Sequence, residues 1–348
     1  MPNSLRRLFL FAVLFLPACD AAPPRQVDLT GPTMGTTYSA TLARPPGDLD
    51  RAALRETIDA RLADIERQMS TYDPESELSR FNQQQTTDWF PVSPAVVKVI
   101  DEAARVSRFS AGAFDVTVGP LVDLWGFGPK ETRAAAPDMA QVARAQALVG
   151  YEKLQIRMDP PALRKTTPGL RVDLSAIAKG YAVDELSRLL SARGLNDHLV
   201  EIGGELRGKG HNARDRPWRI GVENPGPGLR EAYAAVYPGD RGLATSGDYR
   251  NAFERDGQRY THVIDPIGGR AQTHALASVT VVAASCMRAD ALATALLTAG
   301  PERGYRLAER AGIAALFIER TDRGFTDRAT VPMLAFMPEY QNHATNQR

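Results

Sequence analysis

Apolar residues recur at spacings of three and four across residues 49–69, at Leu54, Ile58, Leu62, Ile65 and Met69, which predicts a helix with one buried face. Ser93 followed by Pro94 predicts a second helix, with a capping hydroxyl and proline at the first helical position, running to about Phe109. Further helices are predicted over 139–149, 176–193, 290–299 and 303–311. Within 176–193 the small residues Ala178, Gly180 and Ala182 permit close backbone approach. Apolar runs between turn residues predict strands over 36–42, 170–174, 198–202, 218–222, 232–237, 259–264, 277–284 and 314–318. Residues 31–35 (GPTMG) read as a turn and residues 70–82 (STYDPESELSRFN) as a loop. Helices and strands mix without strict alternation. The predicted class is therefore α+β, mixed and antiparallel sheets with packed helices, the antiparallel sheet lying in the second half.

A chain of 348 residues with 43% hydrophobic content can bury a sizeable core as one large domain or two. With 42 basic against 41 acidic residues, the net charge of +1 gives no electrostatic footprint for nucleic acid. The beginning of the chain changes the picture. Arg6 and Arg7 precede an apolar run over 8–16 and then LPAC, ending at Cys19. That run is too short for a spanning helix, which needs about 20 residues, and matches the core of a secretory signal over 1–18. Cys19 sits where a bacterial lipobox places its lipidated residue, so the segment resembles a lipoprotein signal, and Asp20 resembles the inner-membrane retention signal of enteric bacteria. The expectation is an inner-membrane lipoprotein facing the periplasm, held by several acyl chains. Residues 19–29 would form a polar tether, 30–340 the folded domain and 341–348 a polar tail. Only Cys286 then remains in the mature chain, which excludes an intramolecular disulfide, and its apolar neighbours make it a small buried hydrophobe.

Candidate chemistry concentrates between Leu243 and Thr294. Asp290 and Thr294 would share one helical face, where a carboxylate and a hydroxyl suit a hard cation. In isolation such a pair is ordinarily a solvated Asp and a Thr bonded to its own helix. The surrounding Ala and Leu residues instead predict a buried helix, where an Asp requires a partner. In RVDLSAIAKG, Asp173 ends a predicted strand and Lys179 falls one turn into the next helix; a phosphate at the helix start and a simple cap by Asp173 both remain open. Phe114, Trp125 and Phe127 offer either stacking planes or core. The two glycines of EIGGEL (201–206) signal either close approach of a ligand or a bulge. Thr245, Ser246 and the Gly247 amide could cradle phosphate oxygens, with Arg250 neutralising charge. A lone strand histidine is commonly structural, but His262 precedes the Asp265–Pro266 turn and is the titratable base of the set.

Eight motifs in order resemble the ApbE family, the FAD:protein FMN transferases: MGT at 34–36, STYDPESELSRFN, GAFDVTVGPLVDLWGFGP at 112–129, VDLSAIAKGYAVD at 172–184, VEIGGELRGKG at 200–210, TSGDYRNAF, HVIDPIGG and ADALATAL. The resemblance spans nearly the whole mature chain. It implies an ApbE-like fold and transfer of FMN from FAD, the substrate, to a threonine hydroxyl of an acceptor protein, with AMP released and Mg2+ required. It also implies flavin-nucleotide contacts at Met34, Tyr72, Ala113, Phe114, Asp115, Asp173, Lys179 and Ile264. Metal ligands are implied at Ala176 (through its carbonyl), Asp290, Ala293 and Thr294, with His262 and Asp290 as the catalytic residues. Two positions depart from some members: Lys179 replaces a glutamate, and Ala293 replaces an aspartate, leaving only its carbonyl. Implied acceptors are subunits of membrane redox complexes, such as the sodium-pumping quinone reductase, the Rnf complex or a nitrous-oxide-related flavoprotein. The alternatives are an FAD pyrophosphatase giving FMN and AMP, and a non-catalytic periplasmic FAD-binding lipoprotein.

Overall fold

The predicted strands condense chiefly into one eight-stranded sheet, in the order Gln26–Thr33, Thr36–Ala43, His198–Ile202, Glu205–Lys209, Gly242–Gly247, Leu276–Ala283, Ala314–Thr321 and Gly324–Ala329. Every neighbouring pair is antiparallel. The sheet thus draws on both ends of the chain, not on the second half alone. The structure, a computed structural model, describes residues 25–128, 137–226, 231–248, 252–255 and 258–340. The predicted signal over 1–18, Cys19, Arg250 and the tail over 341–348 lie outside the described residues. Residues 26–29, expected in the tether, are instead the first half of a strand paired along its whole length with Thr36–Ala43. The turn expected over 31–35 shrinks to Met34 and Gly35, both in the left-handed region (φ 47° and 71°).

Successive sheet residues point to opposite faces and feed two cores. Ala244, Val279, Val281, Ala315 and Phe317 join the larger core under the helices. Leu243, Val282, Leu316 and Ile318 join a smaller one with Ile220, Val222, Val236 and Met333. On the larger side the helix Cys286–Ala299 lies against the sheet and against helices Pro94–Ser110, Ala178–Ala192 and Pro301–Arg310. It is apolar on nearly all sides, as a helix in that position must be. Its start precedes the predicted Asp290 by a turn, because the Ser285 hydroxyl accepts the Arg288 amide. No helix among the described residues is long and apolar enough to cross a membrane.

Two local predictions fail for related reasons. The loop expected over 70–82 contains the helix Glu77–Gln83, capped by Ser76. The strand expected over 170–174 is an extended segment with one isolated bridge, Arg171 to Val118. At Val172 the hydrogen bonds come from a side chain: Asn82 Nδ2 donates to the Val172 carbonyl (2.8 Å), and the Val172 amide donates to Asn82 Oδ1 (2.7 Å). The fully buried Lys165 donates to the carbonyls of Phe81, Asn82 and Leu170, at 3.1, 3.2 and 3.3 Å. Burial, then the charge of Arg171, lowers its pKa to about 8. Residues 259–264 also divide, into Gln258–Thr261 and a two-residue strand Ile264–Asp265 paired with Arg270–Ala271.

His198 gives the fold a testable pH dependence. Its ring is buried, with Nδ1 bonded to the Leu195 carbonyl and Nε2 to the Ser187 hydroxyl, both at 2.7 Å. Burial lowers its pKa below 6.5. On acidification below 6.5 the unfolded chain therefore takes up a proton before the folded one does, and stability declines until the lowered folded value is passed. Thermal unfolding is expected to show Tm falling through that window, with a shallower fall in His198→Gln. Equal slopes in the two proteins would refute the assignment.

Candidate active site

The site is built where two helices begin. The backbone of Gly180 lies so close to the helix Cys286–Ala299 that a Cβ there would stand 2.4 Å from the Cys286 carbonyl oxygen. That contact lets the Gly180 amide reach Asp290 Oδ2 at 3.0 Å. Asp290 is 3% exposed, so the predicted buried acid has its partner. Thr294 does share its helical face, and its hydroxyl meets that of Ser246 at 2.8 Å, tying the helix to the strand Gly242–Gly247. Thr245 bonds the neighbouring strand through Thr280 (2.9 Å).

Lys179 stands on the other side of this group, its ammonium 2.7 Å from Glu205 Oε1. Glu205 follows Gly203 and Gly204, whose φ values of 62° and 107° make the hairpin turn between His198–Ile202 and Glu205–Lys209. The two glycines are thus neither a bulge nor mid-strand. A Cβ on Gly203 would meet Thr36 at 3.1 Å and Lys179 and Glu205 at 3.5 Å, so the turn at Met34 closes onto the same group. Met34 is held in its left-handed conformation by Glu66, whose Oε1 accepts the Met34 amide and the Thr33 hydroxyl at 2.8 Å each.

Two buried acids lie around one ammonium. Burial raises the pKa of Asp290, opposed by the charge of Lys179 and the Gly180 amide. Burial and then the charge of Asp290 raise that of Glu205, opposed by Lys179. Burial works against the charge of Lys179, but both carboxylates outweigh it and its pKa rises. Glu205 Oε2 is buried with no hydrogen-bond partner among the described residues, which leaves room in the cluster for a donor or cation. Burial and the neighbouring acids push the Cys286 thiol well up, consistent with a core residue and not a nucleophile.

The remaining predicted residues fall around this centre. Asp173 accepts the Ser175 amide (2.8 Å) and hydroxyl (2.5 Å), while its own amide donates to the Val116 carbonyl (2.7 Å). It therefore holds the turn before the helix; it does not cap it, since the helix starts only at Ala178. Ala176 is half-buried in that turn. Asp115 accepts the Thr117 amide and hydroxyl and the Tyr151 amide, and burial raises its pKa against those bonds. Ala113 and Phe114 are buried, Phe114 within the main core. Trp125 donates from Nε1 to the Gly269 carbonyl at 3.0 Å, tying its helix to the hairpin that begins at Ile264. His262 is half-buried on the link between Gln258–Thr261 and Ile264–Asp265. Tyr72 is 69% exposed. Ala293 is fully buried in the core, so only its carbonyl could serve as the expected ligand beside Asp290. Among the described residues no three His, Cys, Asp or Glu side chains converge as a metal cluster.

Sequence reasoning missed Glu66, Asn82, Asp184, Glu205 and Arg320. Arg320 grips Asp248 of the TSGDYR motif with two bonds, at 2.6 and 2.5 Å. Only Glu205 carried a local signal, as the acid directly after a diglycine turn.

Residues 34–317 match the ApbE family. The chain belongs to the ApbE family. A Vibrio cholerae relative named FAD:protein FMN transferase is 45% identical over 328 residues, covering 94% of this chain and 97% of its own. The solved structure of the flavin transferase ApbE from Vibrio cholerae superposes with a TM-score of 0.84 at 45% identity, covering 90% of this chain and 100% of that one. The apo form of the Pseudomonas stutzeri flavinyl transferase ApbE superposes with a TM-score of 0.83 at 39% identity, covering 91% and 98%. The ApbE-like α+β fold expected from the motifs is therefore the fold found, and the protein is an enzyme of this family.

Proposed function

We propose that this flavin transferase moves FMN from FAD to a threonine hydroxyl of an acceptor flavoprotein, releases AMP and depends on magnesium. The observation that carries the reading is the buried Asp290 carboxylate against the start of the helix Ala178–Ala192, with the Thr294 hydroxyl on the same helical face in a part-buried bond to that of Ser246. Magnesium is typically held by one or two carboxylates together with substrate phosphates, so Asp290, the Thr294 hydroxyl and the Ala176 carbonyl suffice without a three-acid cluster. Glu205 Oε2, buried without a hydrogen-bond partner among the described residues, supports the same fit. When bound, the ion would neutralise pyrophosphate charge as the bond to AMP breaks.

The chain's own residues would do the rest. Met34, Ala113, Phe114, Asp115, Asp173, Lys179 and Ile264 would line the flavin nucleotide, with the exposed Tyr72 ring beside it. His262 accepts the proton of the incoming threonine hydroxyl. The threonine oxygen bonds to the FMN phosphorus while the pyrophosphate bond breaks and AMP departs. Lipidation at Cys19 would hold the enzyme at the inner membrane, facing periplasmic domains of membrane redox complexes; the lipobox pattern supports this.

Mass spectrometry of a candidate acceptor domain, incubated with the mature protein, FAD and magnesium, is expected to show one added FMN on a threonine. EDTA should abolish the gain. Free FMN and AMP without a modified acceptor would replace this reading with FAD hydrolysis. His262→Ala is expected to abolish transfer while FAD binding, followed by flavin fluorescence, persists; full activity would remove His262 from the mechanism.

A further inference from the structure

The two helices that form the site cap each other. Asp290 lies four residues after Cys286, and Asp184 four after Gly180. Asp290 accepts the Gly180 amide in the first turn of the opposite helix. Reciprocally, Asp184 Oδ1 accepts the Cys286 amide and Oδ2 the Met287 amide, each at 3.0 Å. Asp184 is buried, and Arg207 adds a bond to its Oδ1 at 2.6 Å. The same guanidinium donates to the carbonyls of Ala284 (3.1 Å) and Asp240 (3.2 Å), pinning the loops that lead into the site strand and the site helix. Ser285 takes the next amide, that of Arg288, so the first turn of Cys286–Ala299 is anchored at every step.

We propose that Asp184 is a positioning residue. By seating the first turn of Cys286–Ala299 it holds Asp290 against the Gly180 amide and thereby sets the divalent-cation affinity of Asp290 and Thr294; this second part rests on the magnesium reading above. The helix transmits the constraint because Asp290 sits one turn beyond the anchored amides on the same rigid rod. Asn at position 184 would turn an NH2 toward donors: two buried amides and Arg207 would then compete for one oxygen.

The test uses the full mature chain with three variants: Asp184→Asn; Asp184→Glu, which keeps the charge on a longer arm; and Leu190→Ala, which loosens the same helix at its far end. Two quantities are read. One is hydrogen exchange at the Gly180 amide in metal-free protein, and the other is the affinity for Mn2+ alone, followed by the spectrum of the free ion. Both Asp184 variants are expected to exchange Gly180 faster and to bind Mn2+ more weakly by about tenfold or more, the usual scale for losing a group that orients a metal ligand. Leu190→Ala should leave both near the native values. Native Gly180 protection or native Mn2+ affinity in the Asp184 variants overturns the proposal, as does an equal change in Leu190→Ala. Failure of the unsubstituted protein to bind Mn2+ overturns the magnesium reading and the affinity part, while Gly180 exchange still decides the clamp.

Discussion

Asp290→Asn is expected to lower flavin transfer by about a thousandfold or more, since a catalytic metal ion contributes several kcal/mol of charge stabilisation and each 1.4 kcal/mol is a decade in rate. The substitution separates chemistry from folding. Asn keeps the oxygen that accepts the Gly180 amide, and the lost charge is one that burial already disfavours. The fold should therefore survive, with Tm within a few degrees of native, while the magnesium concentration needed for half-maximal rate rises steeply. Activity within tenfold of native at ordinary magnesium would show that the buried carboxylate is structural, with Lys179 and Glu205 its only business.

Gly180→Ala is expected to be strongly damaging to both stability and activity. Its Cβ would lie 2.4 Å from the Cys286 oxygen, 2.7 Å from the Cys286 carbonyl carbon and 2.8 Å from the Met287 Cα. These are backbone atoms of a buried helix and cannot swing aside, so the cost is about 3 kcal/mol or more, at or beyond the upper end for overpacked cores. Whatever separation relieves the clash also lengthens the Gly180–Asp290 contact, so the folded fraction should be inactive as well as less stable. Gly194→Ala is the control. Gly194 has φ 76° with nothing within 4 Å of its added Cβ, so only the left-handed backbone penalty of about 1–2 kcal/mol applies, and activity should persist. Equal Tm losses in the two variants, or an active Gly180→Ala enzyme, would contradict the close crossing.

Elements with their own repeating pattern were legible from the start. The helix Arg51–Met69 buries the five residues its spacing selects, Leu54, Ile58, Leu62, Ile65 and Met69. Pro94–Ser110 begins at its Ser93 cap, and His198–Ile202 lies at its predicted bounds. Less legible were segments whose partners are distant side chains. The residues over 170–174 have strand-like composition, but Val172 at their centre bonds to the side chain of Asn82, a residue with no periodic role in its own segment. The strand Gln26–Thr33 was lost to a polar linker because alternate residues face solvent and prolines lie close by.

By itself the sequence determined which residue types could form the site: the (i, i+4) spacing of Asp290 and Thr294, the small residues around Gly180 and the diglycine before Glu205 are all local properties of the chain. Tertiary structure alone decided what those residues meet. Asp184 and Cys286 are 102 positions apart, Gly180 and Asp290 are 110 apart, and Asn82 and Val172 are 90 apart. Periodicity is set within a few residues by bond geometry. Pairing across such separations is set by which helices and strands bury their apolar faces together, and the polar contacts form only where that burial brings the backbones within reach.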